Sequence, residues 1–339
     1  MVTGHFSNYK EHKMGQYRWG ILAPGRISNK FTEGLKTIPE AVLYAVGSRD
    51  IKRAEAFAQN YGFEKAYGSY RELAEDPLVD IIYISTPHPQ HEEAALLCLN
   101  NGKAVICEKP IAVNALQTER MIQCAGKNKV FLMEAMWTRF LPSICKAREL
   151  MANGAIGDVR LVNADFGFRS DVNPEGRLFS PALAGGSLLD VGVYNLSLCR
   201  MIFGKQPSHV QSQMRIGSTG VDEECSVLLK YEEGQTALLY SAIRLSTPHN
   251  AMIVGESGRI ELPVYWCGKK LILHNSNGTQ EFDLPYEASG YQFEALEAMR
   301  CLGEGLKESP LMPLDESLAI MKTADLIRKD NNLRYTWDR

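Results

Sequence analysis

A lysine that stands directly after an apolar run is the first residue in this sequence with a clear chemical use. Lys109 follows Glu108 and precedes Pro110, and residues 104–107 before it are apolar. The proline restricts the backbone, so the ammonium group is held in place and can polarise a carbonyl or hold an alcohol oxygen. Lys109 is therefore a candidate for such a chemical role, and we predict that Glu108 and Lys109 both lie beside a bound cofactor.

A six-residue turn near the N-terminus predicts where that cofactor binds. Ala23-Pro24-Gly25-Arg26-Ile27-Ser28 follows the first apolar run, in the place of a G-x-G-x-x-G turn, and keeps only the middle glycine. That glycine lets the backbone approach a pyrophosphate, while Ala23 and Ser28 are small enough for a tight turn. A lone glycine after a strand is usually only a turn, but the strand-helix-strand context favours a dinucleotide site. We predict that Ala23, Gly25, Arg26 and Ile27 contact it, with the phosphates at the helix N-terminus.

The second apolar run predicts which dinucleotide is bound. It ends at Gly47-Ser48-Arg49, where an NAD enzyme normally has Asp or Glu to bind the ribose hydroxyls. A carboxylate would repel a 2'-phosphate, whereas the Ser48 hydroxyl and the Arg49 guanidinium can donate hydrogen bonds to it. We therefore predict NADP, with NAD the less favoured cofactor. Arg49 could instead be only solvated, beside Asp50 as the cap of the next helix.

A proline-stiffened loop follows the third apolar run. Its sequence is Ser85-Thr86-Pro87-His88-Pro89-Gln90-His91. Loops at the carboxyl ends of parallel strands bind ligands in open α/β folds. Thr86 and Pro87 are predicted to contact the nicotinamide ribose. His91 begins a helix and is either a ligand contact or a structural cap.

The elements that position these residues predict two domains. Apolar runs alternate with helical patterns in the N-terminal part, which indicates a doubly wound parallel sheet; the runs are residues 19–23, 42–46, 81–85, 104–107 and 130–133. The later runs are separated by turns, which indicates a large, mostly antiparallel open sheet; they are residues 159–168, 208–216, 225–231, 236–243, 251–254, 259–262 and 270–274. Helices over 293–303 and 314–329 are expected to cover one face of that sheet.

The predicted fold class is therefore an α/β Rossmann domain followed by an α+β domain. We place a polar arm at residues 1–17, the dinucleotide-binding domain at 18–136 and the substrate-binding and dimerisation domain at 137–339. A chain of 339 residues exceeds what one hydrophobic core usually serves.

Composition argues against several classes of partner. The net charge is -3 without a basic cluster, which gives no footprint for nucleic acid, and no apolar run approaches membrane thickness. The eight cysteines form no C-x-x-C pair and have no histidine at zinc spacing, so no metal site is predicted. We interpret them as reduced thiols of a cytoplasmic protein.

Longer motifs carry a resemblance to a known family. They are Glu108-Lys109-Pro110, Thr86-Pro87 and Gly185-Gly186-Ser187-Leu188-Leu189-Asp190-Val191-Gly192-Val193-Tyr194. The chain from Arg18 onwards resembles the glucose-fructose oxidoreductase, inositol dehydrogenase and rhizopine-catabolism (Gfo/Idh/MocA) family. Segments such as Met133-Glu134-Ala135-Met136-Trp137-Thr138-Arg139-Phe140 are similar to its branch of dimeric trans-dihydrodiol dehydrogenases, which also oxidise D-xylose with NADP.

That resemblance implies roles for three side chains. Lys109 matches the family's catalytic lysine, and Asp190 and Tyr194 match its substrate-side pair. If residues 190–200 are helical, Asp190 and Tyr194 project from one face, four residues apart. Tyr194 is then the general base, although a phenol has a pKa of roughly 10 and needs the Lys109 charge nearby to favour phenolate. Asp190 would accept a hydrogen bond from a neighbouring substrate hydroxyl.

The expected function is NADP-dependent oxidation of a cyclic diol, aldose or polyol by a homodimer. Trp137, Arg139 and Phe140 are predicted to line the substrate pocket, with Tyr291 and Phe293 as weaker candidates; each could equally pack the domain junction. Two alternatives stay open: an NAD-dependent glycosidase of the same superfamily, and a non-catalytic cofactor-binding regulator. Lys109, Asp190 and Tyr194 together favour the dehydrogenase.

Overall fold

The computed structural model describes residues 15–338, and these form two compact units. The first unit holds the residues up to Ala112, together with Leu116–Trp137 and Glu287–Leu314. The second holds Val113–Ala115, Thr138–Tyr286 and the residues from Asp315 onwards. Most of the predicted polar arm, residues 1–14, lies outside the described residues.

Six parallel strands form the sheet of the first unit, in the order β3-β2-β1-β4-β5-β6. The strands are β1 Tyr17–Leu22, β2 Ala41–Gly47, β3 Lys65–Tyr67, β4 Ile81–Ile84, β5 Ala104–Glu108 and β6 Leu132–Ala135. The helices are α1 Arg26–Leu35, α2 Ile51–Tyr61, α3 Tyr70–Glu75, α4 His91–Asn100 and α5 Ala115–Asn128. This order is that of a doubly wound dinucleotide-binding fold, and it confirms the predicted class.

Burial explains why the central strands were predicted well and an edge strand was missed. Every residue of β4 and β5 is buried, as parallel strands covered on both faces require. Strand β3 has only three residues, and Lys65 in it is exposed, so it shows neither an apolar run nor an alternation. Strand β6 lies two residues later than predicted, at Leu132–Ala135.

An eight-stranded sheet forms the second unit, in the order β14-β13-β12-β11-β7-β10-β9-β8. The strands are β7 Val159–Gly167, β8 His209–Ile216, β9 Asp222–Lys230, β10 Thr236–Ala242, β11 Ala251–Gly255, β12 Gly258–Leu262, β13 Lys270–Asn275 and β14 Gly278–Asp283. All neighbours are antiparallel except β7 and β10. The mostly antiparallel sheet confirms the prediction, although β14 was missed because all but one of its residues are exposed.

Helices cover the inner face of this sheet. The helices of the later part of the chain are α6 Pro142–Ala152, α7 Val193–Phe203, α8 Gln292–Gly303 and α9 Leu314–Asp330. Helix α7 packs on β7 and β10, and α6 packs on β13. The expectation that both late helices cover this sheet was wrong for α8, which belongs to the first unit and packs on α1. An amphipathic pattern shows that a helix has a buried face, but it does not show which unit covers that face.

The expectation that no apolar run approaches membrane thickness was wrong for Pro181–Phe203, which has the length and apolar composition of a membrane-spanning helix. Of its most apolar window, 89% is buried inside the protein. A core helix of a folded domain has these same properties, so the stretch is explained by α7 and the turn before it.

A buried carboxylate joins the elements around β3. Asp76, at the end of α3, accepts hydrogen bonds from the Tyr67 hydroxyl at 2.5 Å, from Lys65 Nζ at 3.1 Å and from the Leu78 amide at 2.8 Å. Burial alone would raise the pKa of Asp76, but these three donors lower it to about 2. The ionised carboxylate therefore stabilises the fold above the ordinary pKa of an aspartate, and this stabilisation is lost as the pH falls through about 2.

We predict that Asp76→Asn lowers the free energy of unfolding at neutral pH by about 2 kcal/mol, because the amide loses the charge that its donors stabilise. The difference from the wild type should shrink as the pH falls below about 4. Urea titrations at several pH values measure both effects. Glu75→Gln is the matched control, because Glu75 forms an exposed ion pair with Arg71 that is worth less than about 1 kcal/mol. A pH-independent loss in Asp76→Asn would contradict the prediction.

Candidate active site

The cofactor turn keeps its shape although two of the three usual glycines are absent. Ala23 has a φ of 65°, a left-handed conformation that glycine usually takes. Gly25 is extended, and a Cβ added there would meet only the Ala23 carbonyl oxygen, at 3.8 Å. Helix α1 begins at the next residue, Arg26, followed by Ile27. The turn therefore leaves open space over Gly25, at the N-terminus of a helix.

Two serine hydroxyls hold this turn closed. The Gly25 amide donates to Ser28 Oγ at 3.1 Å, and Ser28 Oγ lies 2.6 Å from Ser85 Oγ. Ser85 Oγ also lies 3.1 Å from the Leu22 carbonyl and 3.2 Å from that of Ala23. Because Ser85 has one hydrogen and needs it for a carbonyl, Ser28 donates to Ser85. The sequence identified Ser28 only as a small residue and did not identify Ser85.

One arginine follows β2, and a second, on α2, contacts the turn. The Ser48 hydroxyl is buried and accepts the Asp50 amide at 3.2 Å, while the Arg49 side chain is exposed. Asp50 accepts the Lys52 amide at 3.0 Å, which confirms that it caps α2. Arg53 of α2 donates to the Pro24 carbonyl at 3.1 Å and was not predicted. Its spacing of four residues from Arg49 was the available signal.

The loop after β4 is held by a buried histidine. His91 Nε2 lies 2.8 Å from the Thr86 carbonyl, and Nδ1 lies 2.9 Å from the Pro110 carbonyl. Burial lowers the pKa of His91 to about 4, so the ring is neutral and donates to one of the two carbonyls at a time. His91 thus connects the loop after β4 with the segment after Lys109.

Thr86 offers an unsatisfied hydroxyl at the same place. Its Oγ1 is buried, and no residue within the range 15–338 hydrogen-bonds to it. A buried hydroxyl without a partner is uncommon and indicates a place for a ligand or a water. Pro87 follows it and fixes the backbone before the short helix His88–Gln90.

The backbone of Lys109 is fixed by the carboxylate next to it. Glu108 Oε2 accepts the Lys109 amide at 3.1 Å, and Oε1 accepts the Tyr83 hydroxyl. Tyr83 stacks on Phe31 with ring centroids 3.7 Å apart. Glu294 is completely buried nearby, and burial, followed by the charge of Glu108, raises the pKa of Glu294 well above its usual range. Neither Tyr83 nor Glu294 has a sequence signal, since both lie within ordinary strand and helix patterns.

The substrate-side residues of the second unit lie where an irregular turn meets α7. Residues Leu188–Gly192 form a π-helical turn that contains Asp190, and α7 starts with Val193 and Tyr194. The prediction of a helix through residues 190–200 is confirmed, with a wider first turn. π turns within helices occur frequently at functional sites.

Asp190 is paired with an arginine from the preceding loop. Arg177 Nη1 donates to Asp190 Oδ1 at 2.6 Å; the arginine is 46% exposed and the aspartate 8%. A Cβ on Gly185 would lie 2.6 to 2.7 Å from the carbonyl oxygens of Leu178 and Arg177. The glycine is therefore needed for the loop to approach closely enough for this ion pair. Arg177 was not predicted from the sequence.

An aromatic cluster lies beside the Tyr194 ring. Phe166 lies 5.3 Å from it between centroids and stacks on Trp266 at 4.9 Å. The Trp266 indole donates to His249 Nδ1 at 3.2 Å, so His249 carries its hydrogen on Nε2, which donates to the Gly167 carbonyl at 2.6 Å. These three residues were missed because each lies in a separate strand or loop. They give Tyr194 a flat apolar neighbour.

The residues predicted to line the pocket are divided between the units. Trp137, in the first unit, stacks on Tyr291 at 4.4 Å with an angle of 14°. Arg139, in the second unit, donates to Ser197 Oγ at 2.8 Å and to the Ser197 carbonyl at 2.9 Å, and it pairs with Glu316. Phe140 is buried. Their role in the pocket stays a prediction.

Comparison with known proteins gives consistent results for both units. A family model described as an oxidoreductase family with an NAD-binding Rossmann fold matches residues 17–136, and a GFO/IDH/MocA C-terminal domain model matches residues 144–261. Trans-1,2-dihydrobenzene-1,2-diol dehydrogenase of Mus musculus is 41% identical over 333 residues, which cover 95% of this chain and 99% of the relative.

Solved structures share the fold of both units. An aldose-aldose oxidoreductase from Caulobacter crescentus, complexed with glycerol, matches with a TM-score of 0.85 at 23% identity, covering 94% of this chain and 98% of the other. A levoglucosan dehydrogenase, in complex with NADH and levoglucosan, matches with a TM-score of 0.86 at 18% identity, covering 94% and 97%. At these identities the likeness concerns the fold.

Proposed function

We propose that this chain, which belongs to the GFO/IDH/MocA oxidoreductase family, is an NADP-dependent dehydrogenase that oxidises a hydroxyl of a cyclic diol, an aldose or a polyol. The family makes it an NAD(P)-dependent oxidoreductase that acts on alcohol-type substrates. The observation that carries the proposal further is the similarity, over 95% of the chain, to an enzyme named for a dihydrodiol.

The first unit has features that fit a dinucleotide. The space over Gly25 suits a pyrophosphate at the start of α1, and the partnerless Thr86 hydroxyl suits a ribose. The exposed Arg49 at the end of β2 and the nearby Arg53 supply positive charge for a 2'-phosphate. Within this proposal, Ala23, Arg26, Ile27, Ser48, Pro87 and Glu108 shape the same site, and His91 holds its loop.

In the proposed reaction Tyr194 takes the proton of the substrate hydroxyl, which becomes a carbonyl. The bound nicotinamide supplies the acceptor for the hydride that leaves the carbinol carbon. Lys109 stabilises the developing oxyanion and favours the phenolate form of Tyr194. Asp190 accepts a hydrogen bond from a second hydroxyl, and Arg177 keeps its carboxylate in place. The stacked pair Phe166 and Trp266 favours a ring-shaped substrate beside Tyr194.

The proposal also includes a homodimer in the cytoplasm. Its domains are those proposed at 18–136 and 137–339, apart from residues 287–314, which belong to the first unit. All eight cysteines are free, which fits a reducing compartment. The outer face of the second sheet has apolar side chains, among them Leu238, which is 45% exposed, and Met252. Lys230 and Glu261 lie on the same face, opposite Thr236 of β10 and opposite Met252 of β11. An apolar centre with a charged rim is typical of a dimer interface.

We predict that Lys109→Met and Tyr194→Phe each reduce kcat by about 10²-fold or more, because each removes a group that acts in the transition state. Formation of NADPH from NADP is followed by absorbance with trans-benzene dihydrodiol, D-xylose and inositols. Lys36→Met and Tyr61→Phe serve as matched controls at other sites and should be active. Unchanged rates in both test variants would refute the assignment. Release of sugar without net NADPH would indicate a glycosidase. If neither sugar nor NADPH is formed, the protein is a non-catalytic regulator.

We predict that Arg49→Ala raises the KM for NADP about tenfold, because the 2'-phosphate loses a charged donor worth about 1.4 kcal/mol. The KM for NAD should stay nearly constant. Lys52→Ala, which removes a neighbouring exposed charge, controls for general electrostatics. Equal losses with both cofactors would show that Arg49 does not select the phosphate.

We predict that the wild type sediments as a dimer and that Leu238→Glu shifts it to a monomer, since a buried unpaired carboxylate in an interface costs several kcal/mol. Leu116→Glu places the same charge on another exposed leucine and should leave the dimer intact. A monomeric wild type, or a dimeric Leu238→Glu variant, would contradict an interface on this face.

A further inference from the structure

A buried aspartate lies against the start of the π turn. Asp222 is the first residue of β9, and none of its surface is exposed. Its Oδ2 accepts hydrogen bonds from the Ser187 hydroxyl and from the Leu188 amide, both at 2.7 Å. These donors are the residue before the π turn and the first residue in it. The carboxylate therefore accepts a hydrogen bond from a backbone amide at the N-terminal end of the helical segment that contains Asp190 and Tyr194.

The backbone before that turn is shaped around the same carboxylate. Gly186 has a φ of 121°, and a Cβ on it would lie 2.0 Å from Asp222 Oδ1. Any other residue at 186 would both adopt an unfavourable conformation and collide with the carboxylate. The carboxylate of Asp222 can therefore occupy this place only because residue 186 is a glycine.

A tyrosine from the C-terminus fixes the preceding glycine. Tyr335 is buried, and its hydroxyl donates to the Gly185 carbonyl. The Arg328 guanidinium lies over the Tyr335 ring, 5.1 Å from its centroid, and also pairs with Asp338. The turn is thus held on two sides, by the start of β9 and by the chain end.

We infer that Asp222 is a positioning residue for the oxidation, because its carboxylate sets the π turn that places Asp190 and Tyr194. The inference rests on the proposed function of these two residues. Asp222 does not act on the substrate itself. Its two donors, Ser187 and Leu188, precede Asp190 by three and two residues, and helix α7 carries the position of this segment on to Tyr194.

The protonation state of Asp222 adds a pH dependence. Burial raises its pKa to about 7, against the opposing effect of the hydrogen bonds from Ser187 and Leu188. The titratable groups that face it are the Cys225 thiol on its own strand and the Tyr335 phenol from the chain end, with the Arg328 charge behind that ring. From β10 the neighbouring group is the Ser241 hydroxyl, 3.2 Å from Ser187 Oγ.

Activity and stability should therefore respond to pH in opposite directions. The ionised carboxylate is the stronger acceptor for the two donors, so the turn is held best above about pH 7. A folded-state pKa above the unfolded value gives stability that is present below about pH 4 and is lost as the pH rises through about 7.

The test compares Asp222→Asn with Asp222→Ala in the full chain. The asparagine keeps an acceptor oxygen for both donors but cannot titrate, whereas the alanine removes the anchor. We expect Asp222→Ala to lower kcat about tenfold or more, with the Kd for NADP within about twofold, since the cofactor residues lie in the other unit. Asp222→Asn should recover most of kcat and lose the change of kcat and of Tm near pH 7.

A control variant and a second comparison distinguish failure of this inference from failure of the proposed function. Asp283→Ala, at an exposed aspartate of the same unit, should behave as the wild type. If Asp222→Ala does not fold, the pH profile of Asp222→Asn decides: a profile equal to that of the wild type refutes the inference. Full kcat in Asp222→Ala while Tyr194→Phe is inactive would also refute it and leave the proposed function intact. An active Tyr194→Phe variant would instead refute the proposed function.

Discussion

The hydrogen-bonded pair of Ser28 and Ser85 is the interaction on which the first unit's site depends. It joins the start of α1 to the end of β4, and through Ser85 to the carbonyls that end β1. A conventional turn obtains this closeness from glycines, which have no side chain to exclude. Here side-chain hydroxyls supply the contact instead, and Ala23 takes the left-handed position. The carboxyl ends of β1, β4 and β5 can then carry Gly25, Thr86 and Lys109 at one edge of the sheet.

Buried carboxyl groups support the functional side chains in both units, with different chemistry. Glu108 is an acceptor for the Tyr83 hydroxyl and the Lys109 amide, while burial, followed by the charge of Glu108, raises the pKa of the neighbouring Glu294. In the second unit Asp222 accepts two donors at the start of the π turn. In both places a carboxyl group that is not proposed to touch the substrate fixes the backbone at, or just before, a residue that is.

The second unit combines polar and apolar contacts around Tyr194. Arg177 forms an ion pair with Asp190, four residues before Tyr194, and Phe166, which stacks on Trp266, lies beside the Tyr194 ring. His249 holds the indole in place as one tautomer: its Nδ1 accepts a hydrogen bond from the indole, and its Nε2 donates one to the Gly167 carbonyl. This arrangement suits a substrate with hydroxyl groups on a hydrophobic ring.

The sequence alone determined the fold class, the parallel strands β4 and β5 and the candidate Lys109, while Asp190 and Tyr194 were candidates through the family resemblance of a longer motif. Buried strands have long apolar runs, and the residues after them lie at one edge of a parallel sheet, so both can be recognised in one dimension. Only the tertiary structure decided that Ser85 closes the cofactor turn, that α8 packs on α1 and that Asp222 and Tyr335 hold the turn before Asp190. These contacts join residues 35 to 150 or more positions apart, and local patterns carry no information on which distant side chain satisfies a given amide or carbonyl.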